Sequence, residues 1–295
     1  MLRQIALVAA ARRPAFADIA RVAAALQKQI LRDAAPLWGV EACVAAFPTL
    51  RDVPLGYSPI VVIENLHDPG ASGHHIDRNG QPFALVEHGP TWSLAASHEC
   101  LEMAIDPAGT RQVCGPSPLA TQGEVSFLLE ACAPSGDAQF GYTIDGILVS
   151  DFCTPQFFDS GAAATRCSFN GSVKKPLEVL KNGYLSWCDP PSRSWYQEQY
   201  FGSQPKVVSL GQPGAAFRCL REFTGRGEVD HQRLSHFSIA SPVSRRSQLR
   251  SKQHAEASTA AADALAEEIA DLTRRLGETL SRRRRERVEQ VPLAG

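Results

Sequence analysis

Apolar and polar positions follow two distinct patterns along the first part of the chain. Residues 5–9, 40–47 and 60–64 are short apolar runs bounded by turn residues, and each predicts a buried strand. Between the first two runs, residues 14–34 carry apolar side chains at helical spacing and begin with a proline, which suits a first helical turn. The order strand, helix, strand, strand predicts a sheet with a helix packed on one face.

The next segment predicts further elements of the same fold. Residues 67–80 are polar and rich in Gly, His and Asp, which predicts a loop, whereas residues 82–87 predict a short strand. Residues 91–105 predict a helix that ends before Pro107, because the residue before a proline resists helical geometry. Short strands and turns are expected over residues 125–158. The predicted fold class is α+β, with a small mixed sheet and packed helices.

Composition changes in the second half of the chain and predicts three regions. Residues 1–160 form the predicted main domain, and residues 161–240, rich in Gly, Ser, Pro and aromatic side chains, predict an irregular extension packed on it. Residues 241–295 predict a helical, Arg-rich appendage, with a coiled-coil-like helix over 254–284. Its apolar stripe has spacings of four, three and four: Leu265, Ile269, Leu272 and Leu276. We expect this stripe to pack on the protein body, on a partner or on a second copy.

Overall charge and cysteine content exclude several classes of protein. The net charge is −1, and the basic run 282–287 is short and has no aromatic neighbours, so nucleic-acid binding is not expected. The eight cysteines form no C-x-x-C pair, so we expect buried free thiols. No apolar run is long enough to span a membrane, and Arg12, Arg13 and Pro14 stand where a signal-peptide cleavage site would lie. A cytoplasmic location is expected.

The predicted helix 91–105 carries the strongest candidate for chemistry, the stretch S-H-E-C-L-E-M-A-I-D-P. Positions i and i+4 of a helix lie on one face, so His98 and Glu102 project together, and both side chains are good Zn²⁺ ligands. Glu99 is turned by about 100°, where its carboxylate can act as a general base. H-E-x-x-E alone is a weak signal. The alternative is a solvated helix face on which His98 contacts Glu102.

A third metal ligand has several candidates. Glu130 ranks first, because it is a lone carboxylate in the apolar run F-L-L-E-A-C and a buried carboxylate needs a partner. Asp106 lies eight residues after the histidine of the motif, although the following proline favours a helix-ending role. Asp151 in V-S-D-F and the His74–His75 pair are the other candidates, the pair being more typical of a solvated loop.

The motif resembles known proteins when it is taken with the segments after it. S-H-E-C-L-E-M-A-I-D-P, followed by L-L-E-A-C-A-P, G-Y-T-I and V-S-D-F-C-T-P-Q-F-F, resembles a group of bacterial and phage proteins. It is also similar to the zincin superfamily of metallopeptidases, in its gluzincin branch. The resemblance covers roughly residues 1–160 and implies zinc, with His98 as a ligand, Glu99 as the base and Glu130 as the distal ligand. Glu102 stands where the common pattern has histidine.

The resemblance also implies a place for substrate. In zincins a strand at the border of the cleft pairs with an extended peptide, and by position this strand is 82–87. Its central residues, the expected substrate-binding residues, are Phe83, Ala84, Leu85 and Val86. Tyr142, His74 and His75 are the candidates for stabilising an oxyanion.

Two hypotheses of function follow. The first is a zinc-dependent hydrolase, a metalloprotease that acts on a peptide or protein with Glu99 as general base. The second is a catalytically silent, zincin-like structural or interaction module of a larger assembly, which the Arg-rich, coiled-coil-like tail favours. Metal content separates the two hypotheses.

Overall fold

Five strands of the N-terminal half form a mixed sheet. The structure is a computed structural model that describes residues 2–10, 12–66, 72–78, 81–159, 161, 166–213 and 220–225. The strands are β1 (Arg3–Ala9), β2 (Ala42–Phe47), β3 (Ser58–Ile63), β4 (Gly73–Arg78) and β5 (Gln81–Glu87). Their spatial order is β2-β1-β3-β5-β4, and β4 alone runs antiparallel to its neighbour.

The helices of this half pack against the sheet. α1 (Phe16–Lys28) connects β1 to β2 and continues through a π-helical segment, Gln29–Ala34, into α2 (Ala35–Trp38). α2 ends at Gly39, whose φ of 62° lies in the left-handed region that favours glycine. α3 (Trp92–Ile105) follows β5 directly. Leu7, Leu26 and Leu101, from β1, α1 and α3, are each 0% exposed in the shared core.

A second, antiparallel sheet is formed by later parts of the chain. Its strands are β6 (Gln112–Pro116), β7 (Glu124–Leu128), β10 (Tyr184–Asp189), β11 (Ser194–Gln199) and β12 (Lys206–Gly211), in the order β12-β11-β10-β7-β6. β8 (Tyr142–Ile144) and β9 (Ile147–Val149) form a separate hairpin, and α4 (Leu220–Gly225) is the last described element. Phe127 and Trp187 are buried in the core of this sheet, which Ile105 at the end of α3 also joins.

The predicted α+β class is confirmed, and the protein is richer in sheet than expected. Two predictions of local structure are wrong. The segment 67–80, expected as a loop, contains β4, whose polar residues at a sheet edge hide the apolar alternation of a strand. The segment 161–240, expected to be irregular, contains β10, β11 and β12. Gln197 and Gln199 fill buried positions of β11, which breaks the apolar pattern, and β10 pairs with β7 across the boundary predicted at residue 160.

Some predictions concern residues that the structure does not describe. The helix expected over 254–284, with its apolar stripe, lies outside the described residues. Seven cysteines fall within the described ranges, and all seven are free thiols, as expected. Four of them are buried as predicted, whereas Cys43 and Cys188 are partly exposed and Cys114 is exposed. No helix among the described residues combines the length and the apolar character needed to cross a membrane.

Candidate active site

The motif helix α3 is buried along most of its length, and its carboxylates are buried with it. Glu99 is 6% exposed and Glu102 is 2% exposed, whereas His98 is partly exposed. A solvated helix face is therefore the wrong interpretation of this stretch, because both glutamate side chains are buried away from solvent. Burying a carboxylate is costly unless it is protonated or paired, so the partners of these groups determine what the site can do.

Glu130 joins the two motif glutamates in one buried region. It lies just after β7, is 3% exposed, and its Oε2 accepts a hydrogen bond from Ser186 Oγ at 2.9 Å. Its Oε1 is 3.3 Å from the Tyr184 hydroxyl and 3.4 Å from Thr224 Oγ1. The negative charge of Glu130 is one of the causes that raise the pKa of Glu99, so the two carboxylates interact electrostatically.

Arg221, on α4, is the cation of this region and was not foreseen from the sequence. Its Nη2 lies 2.6 Å from Glu102 Oε2 and also donates to the Leu129 carbonyl oxygen at 2.6 Å. Its Nη1 donates to the Asp106 carbonyl oxygen at 3.1 Å. No spacing in the sequence signals this role, since α4 is about 120 positions from the motif and an isolated arginine has no pattern.

His75, on β4, binds the same guanidinium. Its Nδ1 is 2.7 Å from Arg221 Nη1, and its Nε2 is 2.7 Å from the Pro107 carbonyl oxygen. Guanidinium nitrogens only donate, so Nδ1 must accept, and the ring proton therefore resides on Nε2 and is donated to the carbonyl. Burial and the charge of Arg221 lower the pKa of His75 to about 3, which keeps the ring neutral.

Burial sets the protonation of the other groups. It raises the pKa of Glu99 to about 8, with the neighbouring charge of Glu102 as the next cause, and it raises the pKa of Glu130 to about 7. Burial also raises the pKa of Glu102, against the opposing effect of Arg221. The pKa of His98 falls to about 4 through burial and the charge of Arg221. Near neutral pH, therefore, His98 is an uncharged imidazole and Glu99 can hold a proton.

Two glycines let the backbone approach the motif closely. A Cβ at Gly73 on β4 would lie 2.6 Å from Glu99 Oε1, a distance that side chains do not tolerate. A Cβ at Gly136 would lie 3.3 Å from His98 Nδ1. The edge of the first sheet and the turn after Cys132 thus form the walls around His98 and Glu99.

The aspartates that were considered as metal ligands have backbone partners. Asp106 terminates α3, and its Oδ2 accepts the Arg111 backbone N–H at 2.8 Å, which fits the helix-ending role. Asp151 Oδ1 accepts the backbone N–H groups of Phe152 and Asn170 at 2.9 and 2.8 Å. Both side chains hold local backbone structure, and Asp106 Oδ2 also lies 3.7 Å from Arg221 Nη2.

The candidate oxyanion stabilisers are distributed over different places. The Tyr142 hydroxyl donates to Asp33 Oδ2 at 2.8 Å and accepts from Gln29 Nε2 at 3.1 Å, so it belongs to a network between α1 and the β8–β9 hairpin. His74 precedes His75 on β4, and successive strand side chains point to opposite faces. Of the three candidates, His75 is the one that contacts the charged cluster.

The strand predicted to bind substrate is in the wrong place. β5 pairs with β3 on one side and with β4 on the other, so its backbone has no free edge for a peptide. Its central residues are also in the core: Phe83, Ala84, Leu85 and Val86 are 1%, 0%, 3% and 0% exposed. β4 is the edge strand of the sheet on that side, and α3 and α4 both pack against it. Any pairing with an extended peptide would therefore involve β4.

The donor types and the charge of this cluster fit a divalent cation, although its present arrangement closes around a guanidinium. It offers an imidazole and three glutamate carboxylates beside Arg221, and Glu102 Oε2 is buried with the Arg221 guanidinium 2.6 Å away. These are donors that zinc accepts. Within the described ranges, however, no three His, Cys, Asp or Glu side chains are grouped so that they could hold a metal ion.

Comparison of the chain with protein-family models, with curated proteins and with solved structures gives no match. Function is therefore inferred from the side chains of the site.

Proposed function

We propose that the protein is a zinc-dependent hydrolase, a metalloprotease acting on a peptide or protein, with Glu99 as its proton-transfer group. One observation carries the proposal: Glu99, Glu102 and Glu130 are each buried, the charges of the last two raise the pKa of Glu99, and Arg221 pairs with Glu102. Buried ionised carboxylates need a compensating positive charge. Three carboxylates beside one guanidinium leave an excess of negative charge, which either protons or a divalent cation must balance.

In this proposal His98, Glu102 and Glu130 would hold the zinc ion, which requires them to move together, because the described residues group no three such side chains as a metal site. One uncharged imidazole and two carboxylates are suitable donors, and bound zinc would polarise the substrate carbonyl group as a Lewis acid. The Ser186 hydroxyl, bonded to Glu130 Oε2 at 2.9 Å, and the Cys132 N–H, bonded to Glu102 Oε1 at 2.7 Å, orient the two carboxylates. Such supporting hydrogen bonds hold a metal-ligating side chain in its orientation before the metal ion binds.

Glu99 performs the proton transfer at its carboxylate. A catalytic acid or base works best when its pKa lies near the working pH, and burial raises the pKa of Glu99 to about 8. The group can therefore take a proton from the attacking water and return it to the leaving amine. β4, whose Gly73 lies against Glu99, is the edge on which an extended substrate would add as a further strand.

A structural or interaction module is the second candidate function. The pairing of Arg221 with Glu102 favours it, because an arginine that neutralises this buried carboxylate gives it a counter-ion from the same chain. On this hypothesis the buried carboxylates stabilise the junction of the two sheets and α4.

The experiment is zinc loading followed by metal analysis and an assay with fluorescently labelled casein. We expect about one zinc per chain in the wild type, loss of zinc in His98→Ala, and retention of zinc in Glu99→Gln with hydrolysis reduced about 10²–10⁴-fold. Glu124→Gln, a change at an exposed glutamate, is the matched control and should leave zinc and activity unchanged. A folded wild type that takes up no zinc and cleaves nothing would favour the structural module.

A further inference from the structure

We propose that a cavity at the carboxyl-terminal edge of the first sheet binds a nucleotide, through its phosphate group and its planar base. The cavity has a volume of about 610 Å³, which suits one small ligand. Its lining comes from the turn before α1, from α1 itself, from the residues around the start of α3 and from the β8–β9 hairpin. None of these residues belongs to the charged cluster around Glu102, so binding here requires neither a metal ion nor hydrolysis.

The topology of the sheet places this cavity where ligands bind in open α/β sheets. β1 lies between β2 and β3 and runs parallel to both. From β1 the chain proceeds to β2 on one side, whereas from β3 it proceeds to β4 and β5 on the other. Connections that diverge in this way leave a crevice at the carboxyl ends of the two strands, which is the usual place for a ligand. Arg12 and Arg13, which follow β1, and His88, which follows β5, line the cavity at this edge.

Two helices begin at the cavity. Ala15, just before α1, and Trp92 and Ser93, at the start of α3, belong to its lining. Within the described residues neither helix has a side-chain hydrogen bond at its N-cap, so the first-turn N–H groups and the helix dipoles favour an anion here. The turn into α1, residues 10–15, contains no glycine, so it cannot wrap a phosphate as a glycine-rich loop does. Side chains must therefore supply the remaining contacts.

Arginine side chains give the cavity a local excess of positive charge. Arg12, Arg13 and Arg21 line it together with one carboxylate, that of Asp18. Asp18 is paired with Arg21 at 2.6 Å. Among the described residues no carboxylate pairs with the guanidinium of Arg12 or Arg13, although the Arg12 backbone N–H donates to Glu64 Oε1 at 3.2 Å. Two guanidinium groups are thus available, and their planar fork matches the oxygens of a phosphate group.

The remaining lining includes aromatic and apolar side chains. Trp92 is partly exposed, and its ring centroid lies 6.3 Å from that of His88. Val22 and Ile147 also line the cavity. An indole that solvent reaches, beside apolar side chains, is a surface on which a planar base stacks. A phosphate group and a planar base within one small ligand are the chemistry of a nucleotide.

The test titrates the full chain with adenosine monophosphate by calorimetry. Stacking on an aromatic side chain tolerates any base, so this nucleotide represents the class. We expect a dissociation constant of about 1 mM or below, and at least about 10-fold weaker binding of adenosine and of inorganic phosphate, because each makes only part of the contacts.

Variants assign the contacts to particular side chains. Arg13→Gln should weaken binding of adenosine monophosphate at least about 10-fold, because it removes a charge-assisted hydrogen bond to phosphate. Trp92→Leu should weaken it about 5-fold or more and leave the affinity for inorganic phosphate unchanged. Arg193→Gln is the matched control, since Arg193 is an exposed arginine between β10 and β11 and does not line the cavity. Its affinity should equal that of the wild type.

Several results would overturn the proposal. A folded wild type that binds no adenosine monophosphate at about 5 mM would refute it outright. Unchanged affinity in both Arg12→Gln and Arg13→Gln, whose side chains are exposed and therefore tolerant of change, would also refute it. Equal affinity for inorganic phosphate and for the nucleotide would exclude a contact with the base. Tighter binding of a 5′-phosphorylated oligonucleotide would replace the free nucleotide by the end of a nucleic acid. None of these results bears on zinc content or casein cleavage, which the variants of Glu99 and Glu102 test separately.

Discussion

Raising the pH from about 6.5 to about 8 should destabilise the zinc-free protein. The burial of Glu99 raises its pKa to about 8, and that of Glu130 raises its pKa to about 7. In the unfolded chain both side chains are ionised throughout this range, because their ordinary pKa is near 4.5. The folded state therefore binds more protons than the unfolded state, and the free energy of unfolding falls as the pH rises.

The magnitude follows from these pKa values. Integrating the difference in bound protons between pH 6.5 and 8 gives a loss of about 2 kcal/mol, with the larger part from Glu99. His75 and His98 oppose part of this loss, because their pKa values, lowered to about 3 and about 4, leave them neutral in the folded protein. In the unfolded chain each of them is half protonated at its ordinary pKa of 6.5 and loses that proton by pH 8. The two histidines together offset about 0.8 kcal/mol, which leaves a net loss of about 1.5 kcal/mol.

Urea denaturation measures this effect directly. The free energy of unfolding is determined at several pH values between about 6.5 and 8, with a chelator present to remove metal. Glu99→Gln carries no titratable group at this position, so its loss over the same range should be under about 1 kcal/mol. Glu124→Gln, at an exposed position, should reproduce the slope of the wild type.

Two results would refute this reasoning. Stability that stays flat or increases between pH 6.5 and 8 would mean that Glu99 is ionised in the folded protein and has a counter-ion already. If the free energy of unfolding of Glu99→Gln fell with pH as steeply as that of the wild type, the proton bound by the folded protein would belong to another group.

Three further predictions concern other parts of the molecule. Glu102→Gln should lower zinc content and hydrolysis together, whereas Glu99→Gln should lower hydrolysis alone. Metal analysis and the casein assay compare the two variants, and equal zinc content in both would contradict the ligand role of Glu102. Gly73→Ala places a methyl group against the Glu99 carboxylate, and we expect a loss of about 1–3 kcal/mol in urea denaturation, whereas Gly89→Ala, in open space, should change little. Deleting residues 241–295 should reduce the mass seen in light scattering if the tail joins chains, and an unchanged mass and stability would reject a packing role.

The first part of the fold could be predicted from the sequence because its signals are local. β1, α1 and β3 are strongly periodic or continuously apolar, and their burial follows from that pattern. The motif helix was predicted to within a residue, and the lone carboxylate Glu130 in an apolar run is buried in the structure. A charged group placed among apolar residues is a local signal of a partner, even when the partner is distant.

The remaining parts of the site depend on contacts that no local pattern encodes. β4 is polar and lies at the edge of its sheet, so its sequence resembles that of a loop. The sequence therefore favours β5 as the peptide-binding edge, although β5 is an interior strand of the sheet. Arg221 reaches the cluster by long-range packing of α4, and a single arginine carries no periodic signal. Tertiary pairing decides both features, and it is the information that a single sequence provides least well.

The wide separation of the site's contributors along the chain has a consequence for biosynthesis. His75 and Arg221 are 146 positions apart, and Glu130 is 56 positions from Ser186. A nascent chain that has released only the first sheet and α3 from the ribosome carries the motif helix without the later groups that contact its carboxylates. Contacts of such long range form late and slowly, because closing long loops costs entropy before the contacts stabilise them. We expect the charged cluster to assemble only after synthesis has passed residue 225. If the protein is the proposed hydrolase, a growing chain therefore has no finished catalytic centre with which to damage its neighbours.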